Sequence, residues 1–119
     1  MSPRCAQSWP RWTRSVRGDV YRLGAPRNAK GREQKGMRPC VVLQSDFMAV
    51  STVIVAPTST SAGPADYRPV VVVAGQPTRV LVEQMTALDL QRLGAQLGSL
   101  TVDEASQVDE AVLLVLGLD

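Results

Sequence analysis

Five short apolar runs, each closed off by proline, glycine or polar residues, limit what this chain can become. "PCVVLQ" (39–44) and "STVIVAP" (51–57) are continuous, as strands covered on both faces are. "RPVVVVAG" (68–75) carries Pro69, a residue that belongs at the start or edge of a strand, and "TRVLVEQM" (78–85) alternates loosely before ending on a carboxylate and an amide. "RGDVYRL" (17–23), after a glycine turn, supplies the first strand. Behind them "TVDE" (101–104) has the form of a capping box, with Ala105, Val108, Ala111, Val112 and Val115 at helical spacing and Gly117 as the stop. The pattern predicts an α+β domain, mainly β: five or so strands in a small barrel or curled sheet, with a terminal helix lying on it. Leu113, Leu114 and Leu116 widen the helix's apolar stripe beyond what one sheet face covers, so part of it either faces another subunit or closes off a monomer.

At 119 residues the chain has room for one modest core, and a site needing more walls must borrow them from a partner subunit. The aromatics are few (Trp9, Trp12, Tyr21, Phe47, Tyr67), which makes the expected core aliphatic and β-branched. The longest apolar run, Ala111 to Leu116, falls well below the roughly 18–20 residues of a membrane helix, and the N-terminus has no secretory apolar region. The expectation is a soluble cytoplasmic protein without a membrane partner. Cys5 and Cys40 make no disulfide framework, and with no histidine a His-based metal site is impossible. Residues 1–38 hold ten Lys/Arg against two acids, Asp19 and Glu33, whereas residues 39–119 hold three against nine. A polyanion would dock on the basic part.

Residues 1–16, "MSPRCAQSWPRWTRSV", form a basic leader without apolar periodicity. It reads either as a disordered terminus or as an arm whose arginines meet phosphates and whose tryptophans stack on bases. Residues 24–36 make a long loop carrying Arg27, Lys30, Arg32, Glu33, Gln34 and Lys35, and a loop of that length in so small a domain is functional or disordered. Arg38 stands at the step from this loop into a buried strand, where Pro39 favours extended geometry; there it can hold out a planar fork of donors to a phosphate, or pair with Glu33 or Asp19. "PTST" (57–60) ends another buried strand, so that Thr58, Ser59 and Thr60 emerge as hydroxyls, either for a ligand or as ordinary turn chemistry. No GxSxG, Walker or dinucleotide glycine pattern is present.

Taken in order, "RGDVYRL", "REQKGMRPCVVLQ", "TVIVAPTST", "VLVEQMTALD" with "RLG", and "VDEAVLLVLGL" resemble the MazF/PemK (Kid) toxins of bacterial type II toxin–antitoxin pairs. The resemblance covers residues 17–118, all but the leader. It implies an SH3-like β-barrel of the MazF/Kid/CcdB kind, working as a homodimer without metal or cofactor. The implied activity is sequence-specific cleavage of single-stranded RNA to 2′,3′-cyclic phosphate and 5′-hydroxyl ends, which stops translation and growth. The implied partner is a cognate MazE-like antitoxin whose C-terminal tail blocks the RNA groove. Carried over, the family's catalytic arginine falls on Arg38. Its catalytic threonine falls on Ser59, with Thr58 and Thr60 on either side. The loop's Glu-Gln pair falls on Glu33 and Gln34, and the strand-end acid-amide pair on Glu83 and Gln84.

Cleavage by the RNA's own 2′-hydroxyl needs an in-line pose, support for charge on the phosphoryl oxygens and two proton transfers. Arg38 can supply the charge support and Ser59 a neutral hydrogen bond. Arginine is a poor base, which leaves Glu33 as the candidate if the loop closes, and as a solvated charge if it does not. Arg17, Arg27, Lys30, Arg32, Gln34, Lys35, Thr58, Thr60 and Gln84 make up the remaining RNA-binding set. The basic loop residues suit phosphate steering better than base readout, and specificity belongs to loop 24–36 and the 60–68 turn. The target is mRNA or a tRNA or rRNA loop. Two other readings share the scaffold: a CcdB-like toxin that binds DNA gyrase and cuts nothing, and an inert nucleic-acid-binding module.

Overall fold

The computed structural model describes residues 16–24, 38–45 and 51–118. Seven strands form one curled sheet, a half-barrel: β1 (Asp19–Leu23), β2 (Pro39–Val42), β3 (Thr52–Ser59), β4 (Val70–Val73), β5 (Gln76–Val80), β6 (Thr86–Asp89) and β7 (Leu93–Ser99), followed by helix α1 (Val102–Leu116). The spatial order is β4-β5-β3-β2-β1-β7, with β6 also paired to β3. β3 organises the sheet. One of its edges pairs with β2; the other pairs with β6 along Thr52–Val55 and with β5 at Thr58 and Ser59. All of these pairings are antiparallel, so the chain order itself builds the curl.

β2 is covered on both faces, as its uninterrupted apolar run requires. Val41 joins the cluster under the helix, with Val20, Ala56, Val71, Val80, Val82, Val108 and Ala111. Cys40 and Val42 face the other way, into a cluster with Val53, Val55, Leu88 and Leu90. Each fully buried valine contributes about 1.5–3 kcal/mol relative to an exposed one. The helix begins as the capping box foretells: Thr101 Oγ1 accepts from the Glu104 amide, and Glu104 Oε1 accepts from the Thr101 amide. It ends at Gly117, whose left-handed backbone lets its amide return to the last carbonyls.

Several expected boundaries move. The run 78–85 is not one strand: β5 stops at Val80, and Val82–Gln84 form a 3-10 turn that lets the chain cross from the β5 to the β6 position along β3. β3 runs through Ser59, so "PTS" lies in the sheet rather than beyond it. β6 and β7 were not expected as strands, because "TALD" and "LGAQLGS" offer few residues to bury. Backbone pairing to β3 and β1 makes them strands all the same. Among the described residues no helix is long and apolar enough to cross a membrane.

Candidate RNA-cleavage site

The register of the sheet decides which polar groups meet. Leu23 donates its amide to the Arg38 carbonyl, continuing the β1–β2 pairing by one step. On the other side, β2 and β3 pair Cys40 with Pro57, and two further positions in the same register bring Arg38 opposite Ser59. The intermediate step is marked by Thr58, whose Oγ1 donates to the Pro39 carbonyl at 2.7 Å. By strand alternation Arg38 shares the face of Cys40 and Val42, and Ser59 the face of Val55. Both therefore stand on the side away from the helix.

Sequence reasoning placed three adjacent hydroxyls at the surface, and here it needs correcting. Thr58 is buried at 1% exposure and spends its proton on Pro39, so it sits in the core and ties β3 to the strand that carries Arg38. Ser59 is half-buried, and its Oγ accepts the Ser61 amide at 3.2 Å. A hydroxyl that accepts an amide retains a proton to donate, which here either the Ser61 hydroxyl at 3.4 Å or a ligand can receive. Thr60 lies one residue past the end of β3 and is exposed.

The other candidates separate. Arg17 is committed to the opposite end of β2: its Nε donates to the Leu43 carbonyl and its Nη2 pairs with Asp109 of α1. Asp19 receives the Ser99 hydroxyl and the Val16 amide at that same end, so it does not partner Arg38. Gln84 is exposed on the 3-10 turn beside Glu83. Arg27, Lys30, Arg32, Glu33, Gln34 and Lys35 lie outside the described residues, as does the leader up to residue 15.

Three arginines that the sequence reading passed over complete this end of the sheet. Arg79 of β5 is the register partner of Ser59, and its Nη1 donates to the Arg68 carbonyl at 3.0 Å. Arg68 sends Nε and Nη2 to Glu83 Oε2, at 3.0 and 2.7 Å, and Nη1 to the Gly63 carbonyl at 3.1 Å. The Arg68–Glu83 pair thereby ties the 60–68 turn to the 3-10 turn. Arg68 holds the Glu83 carboxyl below its ordinary range, and Glu83 in turn keeps the guanidinium protonated. A carboxylate so held is a weak base. Arg92, after β6, reaches the Gly24 carbonyl beside the Leu23–Arg38 pairing. The three basic residues of the acidic part, Arg68, Arg79 and Arg92, thus converge on the end of the sheet that carries Arg38. That uneven charge distribution was the available signal. Cys40 lies within reach of Arg92, but burial pushes its thiol up to about 11, which keeps it a neutral packing group.

Residues 16–116 match the model of the PemK-like, MazF-like toxins of type II toxin–antitoxin systems. The chain belongs to this family. A Mycobacterium tuberculosis relative, Rv3098A, is 40% identical over 104 residues, covering 87% of this chain and 98% of its own. Among solved structures, the PemK/MazF-like chain resembles a mycobacterial endoribonuclease in complex with its cognate antitoxin, with TM-score 0.73 and 19% identity over 88% of this chain and 97% of the other. It also resembles MazF from Deinococcus radiodurans, with TM-score 0.71 and 22% identity over 87% and 97%. At those identities the structural likeness bears on the fold, which these proteins share with it as a curled sheet carrying a C-terminal helix.

Proposed function

We propose that this PemK/MazF-like toxin is a sequence-specific endoribonuclease that cuts single-stranded RNA, leaving 2′,3′-cyclic phosphate and 5′-hydroxyl ends. The observation that carries the reading is the register of β2 and β3, which brings Arg38 and Ser59 to adjacent positions on one face. The RNA's 2′-hydroxyl is the nucleophile, and no cofactor is required. Arg38 spreads its donors over the phosphoryl oxygens as charge builds, while Ser59 adds a neutral hydrogen bond to the same group. The backbone bond from Leu23 and the buried Thr58–Pro39 bond fix the strand that carries Arg38, so the backbone presenting its guanidinium is held before the reaction begins. Glu83 is occupied by Arg68, which leaves Glu33 of the loop as the candidate base.

The protein acts in the cytoplasm as a homodimer, using helix surface that its own sheet leaves bare: Leu113, Leu114 and Leu116 are 40–53% exposed. A cognate antitoxin would silence it by laying an acidic tail across the Arg38 end. The test is incubation of purified protein with labelled RNA in EDTA. Wild type should cleave and Arg38→Ala should not, with the products carrying 5′-hydroxyl ends. Intact RNA with wild type would turn the reading towards a CcdB-like toxin that binds gyrase.

A further inference from the structure

The row containing Arg38 and Ser59 continues one strand further. Ser59 pairs with Arg79 in the β3–β5 ladder, and Thr78 and Val80, the neighbours of Arg79, are buried on the opposite face. Arg38, Ser59 and Arg79 therefore occupy consecutive strands at one level and on one side. With strands about 4.8 Å apart, the two arginine backbones stand roughly 9–10 Å from each other, and the Ser59 hydroxyl sits midway. Long basic side chains thus stand at the positions on either flank of a short hydroxyl, in one row across the strands.

Arg79 is held for such a role. Its Nη1 is anchored on the Arg68 carbonyl at 3.0 Å, while among the described residues no acceptor meets its Nε or Nη2. Among the described residues no carboxylate pairs with it either, because the acid of this corner, Glu83, is taken by Arg68. A half-buried guanidinium with one donor pinned and its other donors uncommitted is suited to a phosphate oxygen. Resting on the reading of the chain as a ribonuclease, the geometry points to Arg79 as a second phosphate-binding residue, gripping the RNA backbone phosphate next to the one that Arg38 and Ser59 address. It sets where the strand lies across β3 and does not take part in bond breaking.

The test is binding of purified full-length protein to a fluorescein-labelled, random-sequence 2′-O-methyl oligoribonucleotide, which cannot be cleaved, across a salt series. Losing one single-strand phosphate contact lowers the slope of log affinity against log salt by about 0.7. Arg79→Gln should show that decrease together with weaker binding, and Arg79→Lys should recover the slope because the charge is restored. On cleavable RNA, Arg79→Gln should raise KM while kcat changes little. Melting temperatures of both variants separate binding from folding. A wild-type slope in a folded Arg79→Gln protein overturns the inference. So does an equal loss in Arg79→Gln and Arg79→Lys accompanied by lower melting temperatures, since Arg79 would then only be supporting the Arg68 turn. If Arg38→Ala abolishes cleavage while Arg79→Gln changes neither slope nor KM, the Arg79 assignment alone fails; a wild type that neither binds nor cleaves RNA overturns both.

Discussion

Replacing Thr58 by valine tests the mount on which the proposed chemistry stands. The two side chains have nearly the same shape, and Thr58 is 1% exposed, so the change removes one hydroxyl and its 2.7 Å bond to the Pro39 carbonyl and adds a methyl group in its place. A buried neutral hydrogen bond of this kind contributes about 1 kcal/mol net, and in a domain of this size 1 kcal/mol corresponds to a melting-temperature fall of about 4 °C. Thr58→Ser is the informative companion. It keeps the hydroxyl and loses a methyl, at a cost of about 0.8 kcal/mol for the buried carbon. Both variants should therefore melt below wild type by similar amounts, as read by calorimetry or thermal circular dichroism. RNA cleavage should distinguish them: Thr58→Val loosens the β2 start that carries Arg38, while Thr58→Ser retains the tie. A Thr58→Val protein that melts with wild type, or that cleaves RNA as well as Thr58→Ser does, would refute the argument.

Removing the proposed catalytic donors singly, as Arg38→Ala or Ser59→Ala, should lower single-turnover cleavage by on the order of 10²–10³ without moving the melting temperature, because both residues lie outside the two buried clusters. The Glu83 carboxyl, held below its ordinary 4.5 by Arg68, favours the folded state while ionised; that contribution is present above the unfolded value and is lost as pH falls through the lower folded one. Acid titration of Glu83→Gln, followed by denaturant melts, should accordingly show a flatter loss of stability below about pH 5. Ala74 occupies the β4–β5 hairpin turn at φ 52°, ahead of Gly75 at 79°, a pair of left-handed positions that suits asparagine better than alanine. Ala74→Asn should raise the melting temperature by several degrees, corresponding to about 1 kcal/mol. Glu104→Ala removes half of the capping box and also the bond from the Val72 amide of edge strand β4 to Glu104 Oε2, at 2.8 Å. The expected loss is about 2 kcal/mol, on the order of 10 °C in a thermal scan.

Much of this was legible in order of residues. Continuous valine runs have no side for water, so β2 could be read as buried on both faces, and a capping box with a following glycine marks both ends of a helix through bonds made within a few residues. The curl of the sheet, the helix laid against it and the step from Arg38 into β2 all followed from such local patterns, and the ordered motifs carried the likeness to the toxin family. What sequence order could not convey was register. Whether Thr58 or Ser59 faces a ligand depends on a parity that one residue of slip reverses, and only the pairing of β3 with β2 and β5 sets it. The same pairing brings Arg79, forty-one positions away in the chain, to the far side of Ser59 from Arg38, and closes Arg68 onto Glu83. Those contacts join distant segments through backbone ladders whose partners leave no mark on local composition; the chain therefore announced its first five strands, its helix and its first arginine, and the folded sheet added β6 and β7 and chose which side chains stand together.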